Sequence, residues 1–242
     1  HKTSSAASDV YKRQDISNMD EQFVKDLCEK ENLKFYSKSF DTLKIKKKLK
    51  KSTQVVAREL RYEFFEDLSK KININYILTA HHMSDSMESF FINLSRGSGI
   101  DGLIGIPENN GKILRPFINF EKKEILEYAK KNKIKWREDS SNQSNIYLRN
   151  KIRNELVPLL NSLEGNFTKN FQKSIRYLKL SNLLIYDKIE ELTKEYISYD
   201  KNDILINIKK LNLSTHKEAF LYYLLRNYGF NDWDLSLIHI SE

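Results

Sequence analysis

Two carboxylates stand three residues apart beside a pair of histidines, a combination that could support acid–base or cation-binding chemistry. The apolar run 74–79 predicts a strand, and His81 and His82 follow it directly. Asp85 and Glu88 then open the next predicted helix. Because ligands of open α/β sheets bind at the carboxyl ends of the strands, the sequence places these titratable groups where such sheets do chemistry.

Two interpretations of the carboxylate pair remain open. As a capping box, Asp85 would accept hydrogen bonds from backbone N–H groups and Glu88 would reach back to the helix start. Alternatively, both carboxylates lie on one helix face, one turn apart, and grip an ammonium group or a magnesium ion. Zinc is not indicated, because H-E-x-x-H spacing is absent and no cysteine is nearby.

A glycine-punctuated loop, Arg96-Gly-Ser-Gly99, follows the same helix. Gly97 can end the helix in a left-handed conformation. The loop could equally bring backbone close to a ligand, since glycine has no side chain to keep it away.

A second group of candidate residues is basic. Arg149 and Arg153 are four apart on a predicted helix, with Lys151 between them. Arginines with this spacing can hold phosphates through paired N–H groups. The alternative is a solvated basic face, or ion pairs with the nearby acids Glu138, Asp139 and Glu155.

Strands that alternate with helices predict βαβ units and a parallel sheet in the first part of the chain. Beyond about residue 147 the apolar pattern is mostly helical, and we place the domain boundary near Glu164-Gly165. The predicted elements are helix 20–31, strand 33–40, helix 52–71 with Ser52 as its cap, strand 74–79, helix 85–95, strand 112–117, helix 121–132, strand 134–136, helices 147–161 and 167–198, strand 203–208 and helix 215–228. The fold class is therefore α/β, with a smaller mostly helical domain behind it.

The composition of the chain limits the class of protein and the kind of partner that it can have. The 242 residues are 40% hydrophobic, enough for a substantial core, and no stretch approaches the ~18 apolar residues of a membrane-spanning helix. A lone cysteine, Cys28, excludes an internal disulfide and fits a cytoplasmic location. The net charge of +8 favours a polyanionic partner, and the basic run 44–51 is a candidate contact to a phosphate backbone.

The two ends do not resemble the rest of the chain. Residues 1–14 have no apolar periodicity, and 235–242 form a short apolar segment after a helix. We interpret both as non-native, which leaves a catalytic domain at 15–164 and a helical middle, substrate-binding domain at 165–234.

Several ordered segments together resemble the tRNA(Ile)-lysidine synthetases of the PP-loop, or N-type ATP pyrophosphatase, superfamily. The matching segments are Asp20-Glu-Gln-Phe-Val, Ala57-Arg-Glu-Leu-Arg-Tyr-Glu-Phe-Phe65, Thr79-Ala-His-His-x-x-Asp-x-x-Glu88, Leu94-Ser-Arg-Gly-Ser-Gly99, Leu114-Arg-Pro-Phe117, Trp136-Arg-Glu-Asp139 with Ser141-Asn142, and Leu148-Arg-Asn-x-Ile-Arg153. The match covers residues 20 to about 160.

The resemblance implies a Rossmann-like sheet of the adenine nucleotide alpha hydrolase type that binds ATP and L-lysine at its carboxyl edge. Such enzymes adenylate the wobble cytidine of tRNA(Ile) with a CAU anticodon and release pyrophosphate. The lysine ε-amine then displaces AMP to form lysidine. The resemblance is also compatible with a homodimer.

Site roles follow from the same resemblance. Asp85, Glu88 and His81 align with catalytic positions, and the two carboxylates with lysine-binding ones, Asp85 being also a candidate magnesium ligand. The expected ATP contacts are His81, Arg96 and Gly97. The expected tRNA contacts are Arg58, Arg61, Arg149, Lys151 and Arg153.

One family motif is missing from the sequence. A Ser-Gly-Gly-x-Asp-Ser loop that wraps the pyrophosphate of ATP does not occur, and none of the seven glycines precedes Gly97. We therefore expect a sheet without its first strands and a chain that is inactive alone. The alternatives are another PP-loop tRNA modifier, such as a 2-thiocytidine synthetase, which the lone cysteine disfavours, and a non-catalytic basic RNA-binding module.

Overall fold

The computed structural model describes residues 2–41, 45, 52–138, 148–201, 203–226 and 228–230, with backbone alone described for 2–15 and 54. Three segments of interest lie outside these residues: the basic run 44–51 apart from Ile45, the motif residues 139–142, and the tail 235–242. Within the described part of the chain, no helix combines the length and the apolar character that crossing a membrane requires.

The described elements are, in chain order, α1 (Lys2–Lys30), α2 (Thr53–Lys71), β1 (Ile77–Leu78), α3 (Met83–Leu94), α4 (Ile100–Leu103), β2 (Asn109–Asn110), β3 (Ile113–Leu114), α5 (Lys122–Lys131), α6 (Leu148–Lys151), a π-helical turn (Ile152–Leu156), α7 (Val157–Leu163), α8 (Phe167–Tyr196), β4 (Ile197–Asp200), β5 (Asp203–Ile206), α9 (Ile208–Asn212) and α10 (Lys217–Arg226). They form two compact units, His1–His82 with Glu108–Ser144, and Met83–Pro107 with Asn145–Glu242.

A small sheet of order β1-β3-β2 organises the first unit. The strands β1 and β3 are parallel, with Ile77 opposite Ile113 and Leu78 opposite Leu114, whereas β2 runs antiparallel to β3. The predicted parallel pairing is therefore present. His81 follows the carboxyl end of β1, at the edge of the sheet where we expected it.

The strand predictions were only partly right. Residues 33–40 and 134–136 form no strand, and the run 74–79 is a strand only at Ile77–Leu78. In this strand Leu78 is 67% exposed. A strand needs a hydrogen-bonded neighbour, and a favourable local pattern cannot supply one.

The helix predictions were closer to the structure. The prediction that Ser52 caps a helix ending at residue 71 is confirmed, because its side chain accepts a hydrogen bond from the backbone N–H of Val55. The predicted helix 20–31 is the end of a longer helix, α1. The predicted helix 85–95 begins earlier, at Met83.

Ser52→Ala should lower the free energy of unfolding by about 1 kcal/mol, because the amide at the start of α2 loses its acceptor. Urea denaturation of the 242-residue chain measures this loss. Ser162→Ala is the control, since Ser162 is exposed within α7 and bonds only a carbonyl of its own helix, that of Leu159. An equal loss in both variants would contradict the capping role.

Two apolar clusters hold the second unit together. The first, here called the Phe171 cluster, packs Met83 and Met87 of α3 against Phe171 and Ile175 of α8. The second brings α8, α9 and α10 together, and its buried members are Leu192, Tyr196, Leu211 and Phe220. The long helix α8 contributes to both clusters, so α3 is anchored to the same helix as the C-terminal elements.

Candidate active site

Four charged side chains of the second unit form what we call the acid–arginine cluster: Asp85, Glu88, Arg149 and Arg153. Arg149 donates from Nε to Glu88 Oε2 at 2.6 Å and from Nη2 to Asp85 Oδ1 at 2.9 Å. Arg153 donates from Nε to Glu88 Oε1 at 2.5 Å and from Nη2 to Glu88 Oε2 at 3.1 Å. The carboxylates come from α3, and the arginines from a helix more than sixty residues later.

The packing of α3 explains why the carboxylates share a side. Residues one helical turn apart lie on the same face, and Met83 and Met87 bury the neighbouring face in the Phe171 cluster. Asp85 and Glu88 are therefore held at a fixed angle to the core. The carboxylate pair and the arginine pair, which were identified separately in the sequence, therefore form one site.

Burial divides the cluster into two layers. The Glu88 side chain is only 1% exposed, beneath both guanidinium groups. Asp85 is 13% exposed, and Arg149 and Arg153 are 37% and 28% exposed. A fully buried carboxylate is stable only when paired, and Glu88 has two cationic partners. A ligand arriving from solvent would meet Asp85 and the arginines first.

The capping-box interpretation of Asp85 is wrong. The helix begins at Met83, so Asp85 lies inside its first turn instead of preceding it. The carboxylates instead pair with Arg149 and Arg153. Such ion pairs were the alternative considered for these arginines, although the sequence did not link them to Asp85 or Glu88.

A magnesium ion at Asp85 does not fit this arrangement. Asp85 Oδ1 lies 2.9 Å from one guanidinium nitrogen and 3.5 Å from another. A dication at the same oxygen would have to displace both cations, because like charges at such distances repel strongly. Among the described residues, no group of three or more histidine, cysteine or acidic side chains is arranged to hold a metal.

The other predicted site residues have simpler surroundings. His81 Nδ1 is hydrogen-bonded to Thr79 Oγ1 at 2.8 Å, in the first unit. In the same unit, Arg58 and Arg61 are exposed on α2, and the Arg58 guanidinium lies 4.8 Å from the Tyr62 ring centre. In the second unit, Arg96, Gly97 and Lys151 are exposed.

Gly97 ends α3 as the sequence predicted. Its φ is +71°, in the left-handed region, and its N–H donates to the carbonyl of Leu94. A side chain there would meet nothing within 4 Å, so the requirement for glycine comes from the backbone alone.

The sequence did not predict an ion pair between two of the quoted motifs. Arg137 Nε lies 2.5 Å from Asp20 Oδ1 in the first unit, across 117 positions. Both side chains are more than a third exposed, so this pair contributes little to stability. Only the opposite charges of the two motifs hinted at it.

Asp101 is the centre of a second polar cluster in the second unit. It accepts hydrogen bonds from Asn182 Nδ2 and Tyr186 OH, both at 3.1 Å, and from Arg226 Nη1 at 2.6 Å. Partial burial, followed by the bond to Asp101, raises the pKa of Tyr186. The tyrosine therefore stays protonated and able to donate at neutral pH. These bonds tie α4, in the segment after Gly97, to α8 and α10.

Asp101→Asn should lower the free energy of unfolding by about 1–2 kcal/mol, because Arg226 loses its counter-charge and Tyr186 a charged acceptor. Thermal or urea denaturation checks this. Asp187→Asn removes an exposed carboxylate beside Tyr186 and serves as the matched control, with no expected change. If Asp101→Asn behaves like that control, the cluster does not hold these helices together.

Comparison with known proteins decides the family. Residues 12–160 match the model of the PP-loop domain. The chain belongs to the PP-loop family. That family implies an α/β nucleotide-alpha-hydrolase fold with a helical C-terminal part, so these coarser expectations of the fold are confirmed. Residues 199–239 of this PP-loop protein also match the model of the TilS substrate binding domain.

Curated relatives confirm the more specific resemblance. This PP-loop protein is 34% identical over 219 residues to a tRNA(Ile)-lysidine synthase of Bacteroides thetaiotaomicron, covering 90% of the chain and 50% of the relative. It is 40% identical over 164 residues to that of Chlorobaculum tepidum, covering 68% and 49%. It is 33% identical over 212 residues to that of Clostridium perfringens, covering 86% of the chain and 44% of the relative. The chain thus spans about half the length of the curated relatives it matches.

Proposed function

We propose that the protein carrying this chain uses ATP to join L-lysine to the wobble cytidine of tRNA(Ile) with a CAU anticodon. The product is lysidine, formed through an adenylated cytidine with release of pyrophosphate and then AMP. The acid–arginine cluster, in a PP-loop protein with relatives named tRNA(Ile)-lysidine synthase, is the observation that carries the proposal.

The cluster is complementary to the head group of a free amino acid. A lysine head group carries one ammonium and one carboxylate, and the cluster offers carboxylates and guanidinium groups side by side. Asp85 is the more exposed acid and would take the α-ammonium. Arg149 is the more exposed base and would take the α-carboxylate through paired hydrogen bonds. Buried Glu88 would hold both arginines in place.

Holding the head group leaves the lysine side chain to do the chemistry. The ε-amine, once it has lost a proton, attacks C2 of the adenylated cytidine. The new C–N bond forms as the C–O bond to AMP breaks and AMP leaves with the bonding electrons. The cluster contributes by fixing the nucleophile near its target, which can replace much of the entropic cost of a bimolecular step.

The remaining predicted roles are kept as part of the proposal, with one refinement. Arg58, Arg61 and Lys151 stay candidate contacts to a tRNA backbone, which their exposure supports, and His81, Arg96 and Gly97 stay the candidate ATP contacts. Because Arg149 and Arg153 are already paired with carboxylates, we assign them to the lysine head group before tRNA phosphates. Magnesium would act on the phosphates of ATP and not at Asp85.

The sheet of the complete protein has a further strand next to β1 in this proposal. Among the described residues, β1 pairs only with β3, which leaves its other edge available to a further strand. The pyrophosphate loop would follow that strand. ATP–pyrophosphate exchange by the 242-residue chain should therefore be absent, and exchange by the complete gene product present; exchange by the chain alone would contradict this part.

The function itself is tested by incorporation of labelled lysine into a tRNA(Ile) transcript with a CAU anticodon. The complete gene product should incorporate lysine only with ATP, and a transcript with its wobble cytidine changed to uridine should accept none. Asp85→Ala should abolish incorporation. Binding of the transcript without any incorporation would favour the RNA-binding module, and incorporation that survives both Asp85→Ala and Glu88→Ala would remove the cluster from the mechanism.

The relatives do not favour the 2-thiocytidine alternative, because they are named for lysidine synthesis. A cytoplasmic location and a homodimer stay predictions, as does the division of the chain at residue 164.

A further inference from the structure

The helix that carries both arginines contains one turn wider than an α-helix. The π-helical turn Ile152–Leu156 separates α6 from α7, and the N–H of Val157 donates to the carbonyl of Ile152, five residues back. Pro158 follows at once, near the start of α7. Proline has no N–H to donate to the carbonyl of Asn154, and in a regular helix its ring would collide with that carbonyl. The wide turn lies where proline forbids a normal one.

A π-helical turn accommodates one residue more than an α-helical turn. Since each residue of an α-helix advances by about 100°, the turn decides which side chains of the preceding segment face α3. The segment after it is fixed independently. Val157 packs against the Phe171 cluster, and Asn161 Oδ1 accepts a hydrogen bond from Thr168 at 3.1 Å.

This register matters because an asparagine follows each of the two arginines in the sequence. Suppose that the helix ran without the wide turn while α7 stayed in place. Each position before the turn would then be occupied by the residue one place later in the sequence. Asn150 and Asn154 would then take the positions of Arg149 and Arg153. Two neutral amides would face Asp85 and Glu88, and the buried Glu88 would lose both cations.

We propose that Pro158 is a positioning residue: by enforcing the π-helical turn, it sets the direction from which Arg149 and Arg153 meet Glu88 and Asp85. Its effect on lysine binding rests on the proposed function, but its effect on the ion pairs does not. Arg153 lies within the wide turn and makes the short contact to Glu88 Oε1, so its pairing with Glu88 reports directly on this turn.

Three variants test the proposal through mutual rescue: Pro158→Ala, deletion of Asn154, and the two combined. Pro158→Ala permits a regular helix and shifts the register. The deletion alone forces proline into a regular helix. The combination removes the extra residue and the proline together, so an uninterrupted helix again presents both arginines to the carboxylates. Pro116→Ala, an exposed proline in the other unit, is the control.

The first measurement is the energetic coupling of Arg153 with Glu88. It comes from a double-mutant cycle with Arg153→Gln and Glu88→Gln, followed by urea denaturation. We expect this coupling to fall by at least half in Pro158→Ala and to recover in the combined variant. Full coupling in Pro158→Ala, or no recovery in the combination, would overturn the proposal. So would an unfolded Pro158→Ala variant, because alanine favours the helix that we expect to replace the wide turn.

The second measurement is lysine kinetics in the complete gene product. Pro158→Ala should raise KM for lysine about 10-fold and leave kcat within about threefold, a split that general destabilisation would not produce. The combined variant should restore KM. Recovery of coupling in a protein that never uses lysine would refute the proposed function and leave the role of Pro158 intact. An unchanged KM in an active Pro158→Ala enzyme would refute the role of Pro158 alone.

Discussion

Glu88→Gln is expected to lower the free energy of unfolding by about 2–4 kcal/mol. The side chain is 1% exposed and hydrogen-bonded to both arginines. Removing its charge leaves two guanidinium groups facing a neutral amide, and breaking a buried ion pair on one side costs several kcal/mol. The loss of stability should be smaller here, because Arg149 and Arg153 are partly exposed and water can solvate them.

The matched control is Asp85→Asn, at the more exposed carboxylate of the same cluster. Its cost should be about 1 kcal/mol, since water reaches Asp85 and its longest arginine contact is 3.5 Å. Urea denaturation of the two variants beside the parent chain gives the comparison. If Asp85→Asn costs as much as Glu88→Gln, the cluster is not organised around the buried acid.

Asp85→Asn should have the larger effect on substrate use. In the complete gene product we expect KM for lysine to rise about 10- to 100-fold, the range for losing one charged hydrogen bond to a ligand. The tRNA KM should stay within about twofold, because the change concerns the amino-acid head group. Steady-state kinetics with each substrate varied in turn measure both constants.

Glu164→Gln provides the control for this kinetic prediction, since Glu164 is an exposed acid of the same unit at the end of α7. It should leave both constants unchanged. If the Asp85→Asn enzyme has a normal KM for lysine and a raised KM for tRNA, Asp85 contacts the RNA and not the lysine.

The sequence predicted those parts of the fold that local chemistry decides. Ser52 marked the start of α2 because a hydroxyl can accept from the first free amides of a helix. The apolar period of 167–198 predicted α8 to within two residues, since the helix is Phe167–Tyr196. The strands at 33–40 and 134–136 failed because pairing partners, not local propensity, decide whether a strand forms.

The candidate site was predicted as separate groups, not as one cluster. Asp85, Glu88, Arg149 and Arg153 were all identified from type and spacing, but their pairing spans 61 to 65 positions. Opposite charges alone offered nearer partners to the arginines. The π-helical turn was likewise not foreseen, although Pro158 inside a helical pattern was a signal that some departure from the α-helix was required there.

The central claim is that the acid–arginine cluster holds the zwitterionic head group of lysine, and two lysine analogues test it most directly. Cadaverine lacks the α-carboxylate and 6-aminohexanoate lacks the α-ammonium, while both retain the attacking amine. The complete enzyme should prefer lysine to each by at least about 10-fold in kcat/KM. The Asp85→Asn enzyme should no longer prefer lysine to 6-aminohexanoate but should still prefer lysine to cadaverine. An unchanged preference over 6-aminohexanoate in Asp85→Asn would contradict the account.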